Sequence, residues 1–504
     1  MKLVQSFLEE SAAHTPDKIA LVCDNQRLTY AEIDTMANRL AQALVANGVG
    51  RGDRVLLFLP NSVELVVSIF ATLKANAVFV PVNASTKVDK LRFMAQDCRA
   101  AALVTAQRQG KTAVALQKSV ASLHTIVIVG EAPEGCLSFA EIQGQYGAER
   151  PCVQSIDQDL ACLIYTSGST GEPKGVMSAH NNVVFAASSI ISYLQNRPDD
   201  IVLNVLPLSF DYGLYQLFMV FRFGGTLVLE RSFTYPAQIL KRIAAEKVTG
   251  FPLVPTIAAI LLQLDLSHYD LSSLRYLTNT AAALSPTHIT ALQAKFPQAT
   301  LFSMYGLTET KRTLYLPPEQ LAIRPGSVGL PIPGTEAWVE DEAGKRLGPG
   351  EIGELVIRGS HVMRGYWERP EASAARFRPG AVPGERLCYS GDLFRVDSEG
   401  YFYFIGRKDD IIKSRGEKVA PKEIENVLVS LGGVVETAVI GIPDPILGEA
   451  IKAFVVKSNP DLSEQEVLRH CREHLEDFMV PQHIEFREAL PKSSNGKIAK
   501  KELH

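Results

Sequence analysis

Between Tyr165 and Gly175 the chain reads Tyr-Thr-Ser-Gly-Ser-Thr-Gly-Glu-Pro-Lys-Gly, a cluster of hydroxyls and glycines around one lysine. This is the chemistry of a polyphosphate cradle. Gly168 and Gly171 free the backbone for conformations in which amides converge on an anion. Thr166, Ser167, Ser169 and Thr170 add hydroxyl donors, and Lys174 supplies a point charge. Solvated turns use the same residue types, but here the apolar run from 160 to 165 introduces the loop as the end of a buried strand. The spacing G-x-x-G-x-x-K-G is not that of a Walker A loop, and the Walker pattern occurs nowhere else in the chain.

Three further islands carry chemistry at large separations. Tyr305-Gly306-Leu307-Thr308-Glu309 joins a flat ring, a permissive glycine, a hydroxyl and a carboxylate, the parts needed to stack a base, bond a phosphate and hold a magnesium ion. Tyr389-Ser390-Gly391-Asp392-Leu393 is expected to present an acid in a tight turn, suited to two ribose hydroxyls. The run from Pro491 to Ile498 places Lys497 just after a turn. Any one of these alone reads as a loop, and only their combination makes a site.

The elements that must hold these islands follow from periodicity. A helix is expected from Leu28 toward Val45 and another over 64–74. Strands are expected at 54–59, 77–82, 102–104 and 125–129. Alternating helices and β-branched strands favour a parallel sheet covered by helices, hence an α/β fold. After residue 345 short strands between Gly- and Pro-rich turns suggest a β-rich subdomain over about 330–406. A charged break at 406–410 precedes a compact α+β segment, giving an expected division into 1–406 and 407–504.

Composition narrows the function class. A chain of 504 residues that is 46% hydrophobic is too long for one core. A net charge of −4 with interspersed signs argues against a nucleic-acid binder. Seven cysteines, scattered singly, argue for reduced thiols and against structural zinc. The start, with Glu9 and Glu10, lacks a signal-peptide layout, so a cytoplasmic enzyme is expected. The apolar stretches at 66–82 and 251–266 are broken by Lys74 and Asn76 or by Pro252 and Pro255, and neither reads as a membrane span.

Taken in order, the islands resemble the adenylate-forming superfamily of acyl-CoA synthetases, peptide-synthetase adenylation domains and luciferases. The resemblance runs from Leu28 to Lys497. It implies a two-step reaction: a carboxylate attacks the α-phosphate of ATP, giving an acyl-adenylate and pyrophosphate, and a thiol then displaces AMP. It assigns residues 166–171 and Lys174 to the β- and γ-phosphates, Tyr305 to adenine, Thr308 to the α-phosphate and Glu309 to Mg2+. Asp392 is assigned to the ribose with Arg407 beside it, and Asp409 to the hinge of a small mobile carboxyl-terminal domain. Lys497 is assigned to the catalytic lysine that bridges the carboxylate and the α-phosphate. The chain departs from the family pattern where Ala281, Ala282 and Ala283 replace a Gly-Gly pair, where Lys418 replaces a frequent arginine, and where Ser390 replaces threonine.

The acyl pocket is expected around Phe210, Asp211, Tyr212 and Ala281. Asp211 either pairs with the ammonium group of an amino-acid substrate or caps the helix that follows. Lys311 and Arg312 either receive a second substrate carboxylate or form a solvated basic pair. The expected activity is acid–thiol ligation with coenzyme A, or the phosphopantetheine arm of a separate carrier protein, as acceptor. An amino-acid-loading enzyme and a luciferase-like oxidative enzyme are the alternatives.

Overall fold

The computed structural model describes residues 2–167, 173–280, 284–414, 417–444, 447–492 and 497–503. Among the described residues the chain builds three sheets within a mixed α/β architecture. In the first, Leu137–Ser138, Thr125–Val129, Ala100–Ala106, Arg54–Phe58, Val78–Pro81 and Leu160–Ser167 lie side by side in parallel. Pro173–Ala179 then adds antiparallel. These strands are near-continuous apolar runs because both faces are covered.

The helix Val63–Lys74 shows how the covering is achieved, since nearly every residue along it is buried. It lies in one apolar core with Val55, Phe79 and Cys162 of the first sheet and Leu227, Phe251 and Leu277 of the second. The lysine that interrupts its apolar run is neutralised where it is buried: Lys74 Nζ lies 2.7 Å from Asp34 Oδ1 and donates to Asn38 Oδ1 at 2.7 Å. Asp34 and Asn38 belong to the helix Tyr30–Ala46. That helix starts where Thr29 and Glu32 cap each other reciprocally, as the Leu28-Thr29-Tyr30 signal suggests.

The second sheet has fourteen strands, with a parallel middle flanked by antiparallel pairing: Ile19–Cys23 pairs antiparallel with the edge strand Gln26–Thr29 at one end, and a longer antiparallel stretch lies at the other. Ile201–Asn204, Thr226–Leu229, Gly250–Leu253, Tyr276–Asn279 and Thr300–Tyr305 pair in parallel. From Leu314–Leu316 onward, through Ser327–Pro331 to Phe402–Arg407, Arg386–Val396, Ile352–Gly359 and Thr335–Glu340, every pairing is antiparallel. The β-rich region thus hydrogen-bonds onto the same sheet as the parallel strands, yet it packs its own apolar core around Phe394, Phe402, Leu355 and Met363. The change from the parallel middle to this longer stretch falls in the connection from 306 to 313. This connection leaves the carboxyl end of the parallel strand Thr300–Tyr305, the end of such strands at which open α/β sheets bind ligands.

The third sheet, with strands Ile412–Ser414, Glu417–Val419, Val434–Asp444, Gly448–Lys457 and His483–Arg487, is the smaller carboxyl-terminal unit. It is covered by the helices Pro421–Ser430 and Glu464–His474. No helix among the described residues is long and apolar enough to cross a membrane.

Candidate active site

The two described ends of the phosphate-cradle run lie on paired strands. Leu160–Ser167 pairs antiparallel with Pro173–Ala179, matching Tyr165 with Gly175 and Thr166 with Lys174. Gly168, Ser169, Thr170 and Gly171 lie outside the described residues. This strand pair is clamped from below: Tyr165 donates to Asp97 Oδ2 at 2.6 Å, and Asp97 Oδ1 pairs with Arg369 at 2.7 Å. The Trp367 indole N–H donates to the Asp97 carbonyl at 3.0 Å, while its backbone N–H donates to Gly175. Lys174 Nζ lies 5.7 Å from the centre of the Tyr366 ring.

Tyr366 leads directly to the second island, because its hydroxyl donates to Glu309 Oε1 at 2.6 Å. Glu309 is buried and sits in the connection between the parallel and antiparallel parts of the sheet, with partly exposed Thr308 beside it. Gly306 allows the tight return, since any Cβ there would collide with the Lys311 carbonyl oxygen. Half-buried Arg376 stands 3.8 Å from Glu309 Oε1. Burial works against its charge, but the Glu309 carboxylate leads the groups that hold its pKa above the usual guanidinium range.

Asp392 does not sit in the tight turn expected from Ser390-Gly391. It lies inside the strand Arg386–Val396, opposite Arg407, at an irregularity in the pairing with Ile352–Gly359. Gly391 takes a left-handed φ of +69° there, and its N–H donates to Glu354. Ser390 fits this bulge as a short hydroxyl that accepts from the Asp392 N–H at 3.1 Å. Asp392 Oδ2 accepts from the Tyr305 hydroxyl at 2.6 Å, and the Tyr305 ring packs edge-on against Phe394. Asp392 Oδ1 is buried without a hydrogen-bond partner, with Arg407 Nε 3.5 Å away. Burial raises the Asp392 pKa, against the Tyr305 hydrogen bond and the charges of Arg407, Arg376 and Lys497. A buried acceptor left unpaired is the fit expected for a ligand hydroxyl.

Lys497 follows residues 493–496, which lie outside the described set. The Lys492–Ile498 bridge and the Ala499 N–H to Pro491 hydrogen bond fix the base of this segment. The lysine keeps accessible surface, yet the surrounding protein lowers its pKa, opposed by the pull of Asp392, Glu309 and Asp211, while Arg407 adds to the lowering. Groups from 211, 309, 392, 407 and 497 therefore share one electrostatic environment. Asp409 lies on the exposed turn Lys408–Asp410 that follows Arg407.

The expected acyl wall differs from both readings of Asp211. Phe210 is the N-cap residue, Asp211 is the first residue of the helix Asp211–Phe223, and no side-chain cap bond forms. Its carboxylate is already paired: Lys311 Nζ lies 2.6 Å from Asp211 Oδ1. The chain's own ammonium occupies the partner position that a substrate ammonium would need. Lys311 and Arg312 are correspondingly buried, at 1% and 3% exposure, and do not form a solvated pair. Gly213 is required because a Cβ would meet the Pro207 carbonyl oxygen. Tyr212 donates to the Thr278 carbonyl at 2.7 Å. Ala281 lies outside the described residues.

Sequence reasoning missed Arg376, Tyr366 and Asp97. They orient Glu309 and the cradle from segments with no motif of their own, and only the register of distant strands brings them close.

Comparison with known proteins agrees with this organisation. Residues 8–367 match the family model described as AMP-binding enzyme, and residues 423–497 match the AMP-binding enzyme C-terminal domain. A long-chain-fatty-acid–CoA ligase of Bacillus subtilis (strain 168) is 32% identical over 100% of this chain and 94% of its own length. A feruloyl-CoA synthase of an Amycolatopsis species is 34% identical over 98% of this chain and 96% of its own. The crystal structure of the anthranilate CoA ligase AuaEII in complex with anthranoyl-AMP superposes with a TM-score of 0.92 at 31% identity, covering 99% and 96% of the two chains. With both family models matched in chain order and relatives at 32% and 34% identity covered over nearly their whole length, the chain belongs to the AMP-binding enzyme family and is an AMP-forming acid–thiol ligase.

Proposed function

We propose that the enzyme activates a small carboxylic acid as its acyl-adenylate and transfers the acyl group to coenzyme A. The observation that carries this reading is the pair of prepared carboxylates: Asp392, bonded by Tyr305 and with its buried Oδ1 unpaired, and Glu309, held by Tyr366 and Arg376 next to Thr308. In the first step a carboxylate oxygen bonds to the α-phosphorus of ATP, and the bond to the bridging oxygen breaks to release pyrophosphate. Lys497 donates to the carboxylate and the α-phosphate, and its charge offsets the negative charge that builds between them. Thr308 holds the α-phosphate, while Thr166, Ser167 and Lys174 hold the departing oxygens with the glycines of the cradle. Asp392 accepts the ribose hydroxyls through its unpaired Oδ1, and Tyr305 faces the adenine.

Glu309 fits a magnesium site, because Mg2+ is usually held by one or two carboxylates together with substrate phosphates. Such an ion neutralises charge on the leaving phosphates. Tyr366 and Arg376 fix the Glu309 carboxylate for that purpose. In the second step the thiol sulfur bonds to the acyl carbon, the mixed-anhydride C–O bond breaks, AMP leaves and the thiol proton passes to solvent. Coenzyme A is favoured over a carrier protein by the relatives, which are named as CoA ligases.

The substitution Lys497→Ala tests the assignment. ATP–pyrophosphate exchange should fall by about a hundred- to a thousandfold, the usual loss of one transition-state donor. Thioester formation from supplied acyl-adenylate should stay within severalfold of the unaltered enzyme. Equal losses in both half-reactions would remove Lys497 from the adenylation step.

A further inference from the structure

Resting on the acid-activation reading, we infer that the acyl site selects acids with a second carboxylate and that Arg312 receives it. Arg312 is buried, with its guanidinium 4.7 Å above the centre of the Tyr212 ring. Its described hydrogen bond is a long one, from Nη1 to the Lys311 carbonyl at 3.4 Å, and its Nε is buried without a partner. Among the described residues no carboxylate lies within ion-pair distance of it. Neighbouring Lys311 cannot share a counter-ion, because Asp211 is already committed to Lys311 at 2.6 Å.

The groups around Arg312 are phenols. Its charge is felt by Tyr193, Tyr212 and Tyr215. Tyr193 is spent on Met304 and Tyr212 on Thr278, whereas the Tyr215 hydroxyl is buried and unpaired. The wall therefore holds Lys311 and Asp211 in balance, Arg312 in excess, and a spare phenol donor. A guanidinium is rarely buried without an anion. Its planar fork matches a carboxylate.

The backbone supports a dedicated site. Lys311 adopts a left-handed φ of 60°, a strained conformation for a residue other than glycine. At this position Lys311 pairs with Asp211 while Arg312 stacks on Tyr212. Tyr212 is the neighbour of Asp211 on the expected acyl wall, so the guanidinium belongs to that wall. The second carboxylate takes no part in bond making and stays ionised while the first is adenylated. A monocarboxylic acid leaves the guanidinium unpaired.

ATP–pyrophosphate exchange by the full-length enzyme, with chain-matched acids such as butyrate and succinate, hexanoate and adipate, or benzoate and phthalate, tests the inference. The best diacid should exceed its matched monoacid at least about tenfold in kcat/KM. Arg312→Met should lower diacid exchange by about a hundredfold, mainly through KM, the scale of loss when a buried charge partner is truncated. Arg312→Lys should recover part of that loss, and AMP binding by equilibrium dialysis should match in all three proteins. If Arg312→Met fails to bind AMP, Arg312→Lys carries the test, and its diacid KM should still rise. A monoacid or neutral amino acid as best substrate, with the ranking unchanged by either variant, overturns the inference. Absence of exchange with every acid overturns the acid-activation reading itself.

Discussion

Asp392 shows how a single side chain can be placed at a cost to the fold and in favour of the ligand. Its carboxylate is buried with one oxygen unpaired, and burial raises its pKa above the ordinary value of 3.8. The unfolded chain ionises this group more easily than the folded one, so the penalty for keeping it charged is fully present above the folded pKa. It fades as the pH falls through that value toward the unfolded one. Asp392→Asn should therefore raise Tm at neutral pH, by an increment that shrinks as the buffer is taken down into the carboxylate range, and should weaken ATP binding at least about tenfold. Thermal unfolding across pH together with nucleotide titration checks both halves. A variant that is less stable at neutral pH would mean that Tyr305 and Arg407 already compensate the charge. The candidate residues at 305, 309, 392 and 497 could be picked out in the sequence because each stands in an island of unusual neighbours. The pairing of Asp211 with Lys311 was not, since an ion pair across a hundred positions leaves no local pattern.

At the level of elements, periodicity sufficed wherever a segment had one covered face. The strand at 125–129 and the helix Val63–Lys74 stand close to where alternation and spacing put them. The Asp392 segment was misread because Ser-Gly-Asp is turn chemistry in isolation, whereas here its two flanks are held by a continuous strand and the glycine resolves into a bulge. The connection at 306–313 is where the sheet reverses, and its shape depends on Gly306 lying against the Lys311 carbonyl. Gly306→Ala should cost about 1–3 kcal/mol, as overpacking does. Because this connection carries Thr308, Glu309, Lys311 and Arg312 together, KM for both ATP and the acid should rise. Unfolding curves and steady-state kinetics provide the check. A rise confined to one substrate would show that the connection does not move as a unit.

Across the whole molecule, two chemically different half-reactions must share one site. The structure holds Lys497, from the small carboxyl-terminal unit, in the field of Asp392 and Glu309 of the large one. That arrangement suits the adenylation role proposed for Lys497, and under that proposal the thiol must later reach the same acyl carbon. A rotation of the small unit would clear that path, and the exposed turn Lys408–Asp410 is the segment joining it to the large sheet. Proline fixes φ near −65° and cannot follow a large backbone rotation, so Asp409→Pro should hold the unit in one arrangement. Exchange of pyrophosphate should remain within about tenfold of the unaltered enzyme. Thioester formation from supplied acyl-adenylate should fall by about a hundredfold or more, the scale of loss when reacting groups are misplaced. This pattern is the reverse of that expected for Lys497→Ala, so the two variants assayed side by side separate a fault in chemistry from a fault in motion. If Asp409→Pro slowed both half-reactions equally, the turn would be a structural joint, and access for the thiol would have to come from within the large unit.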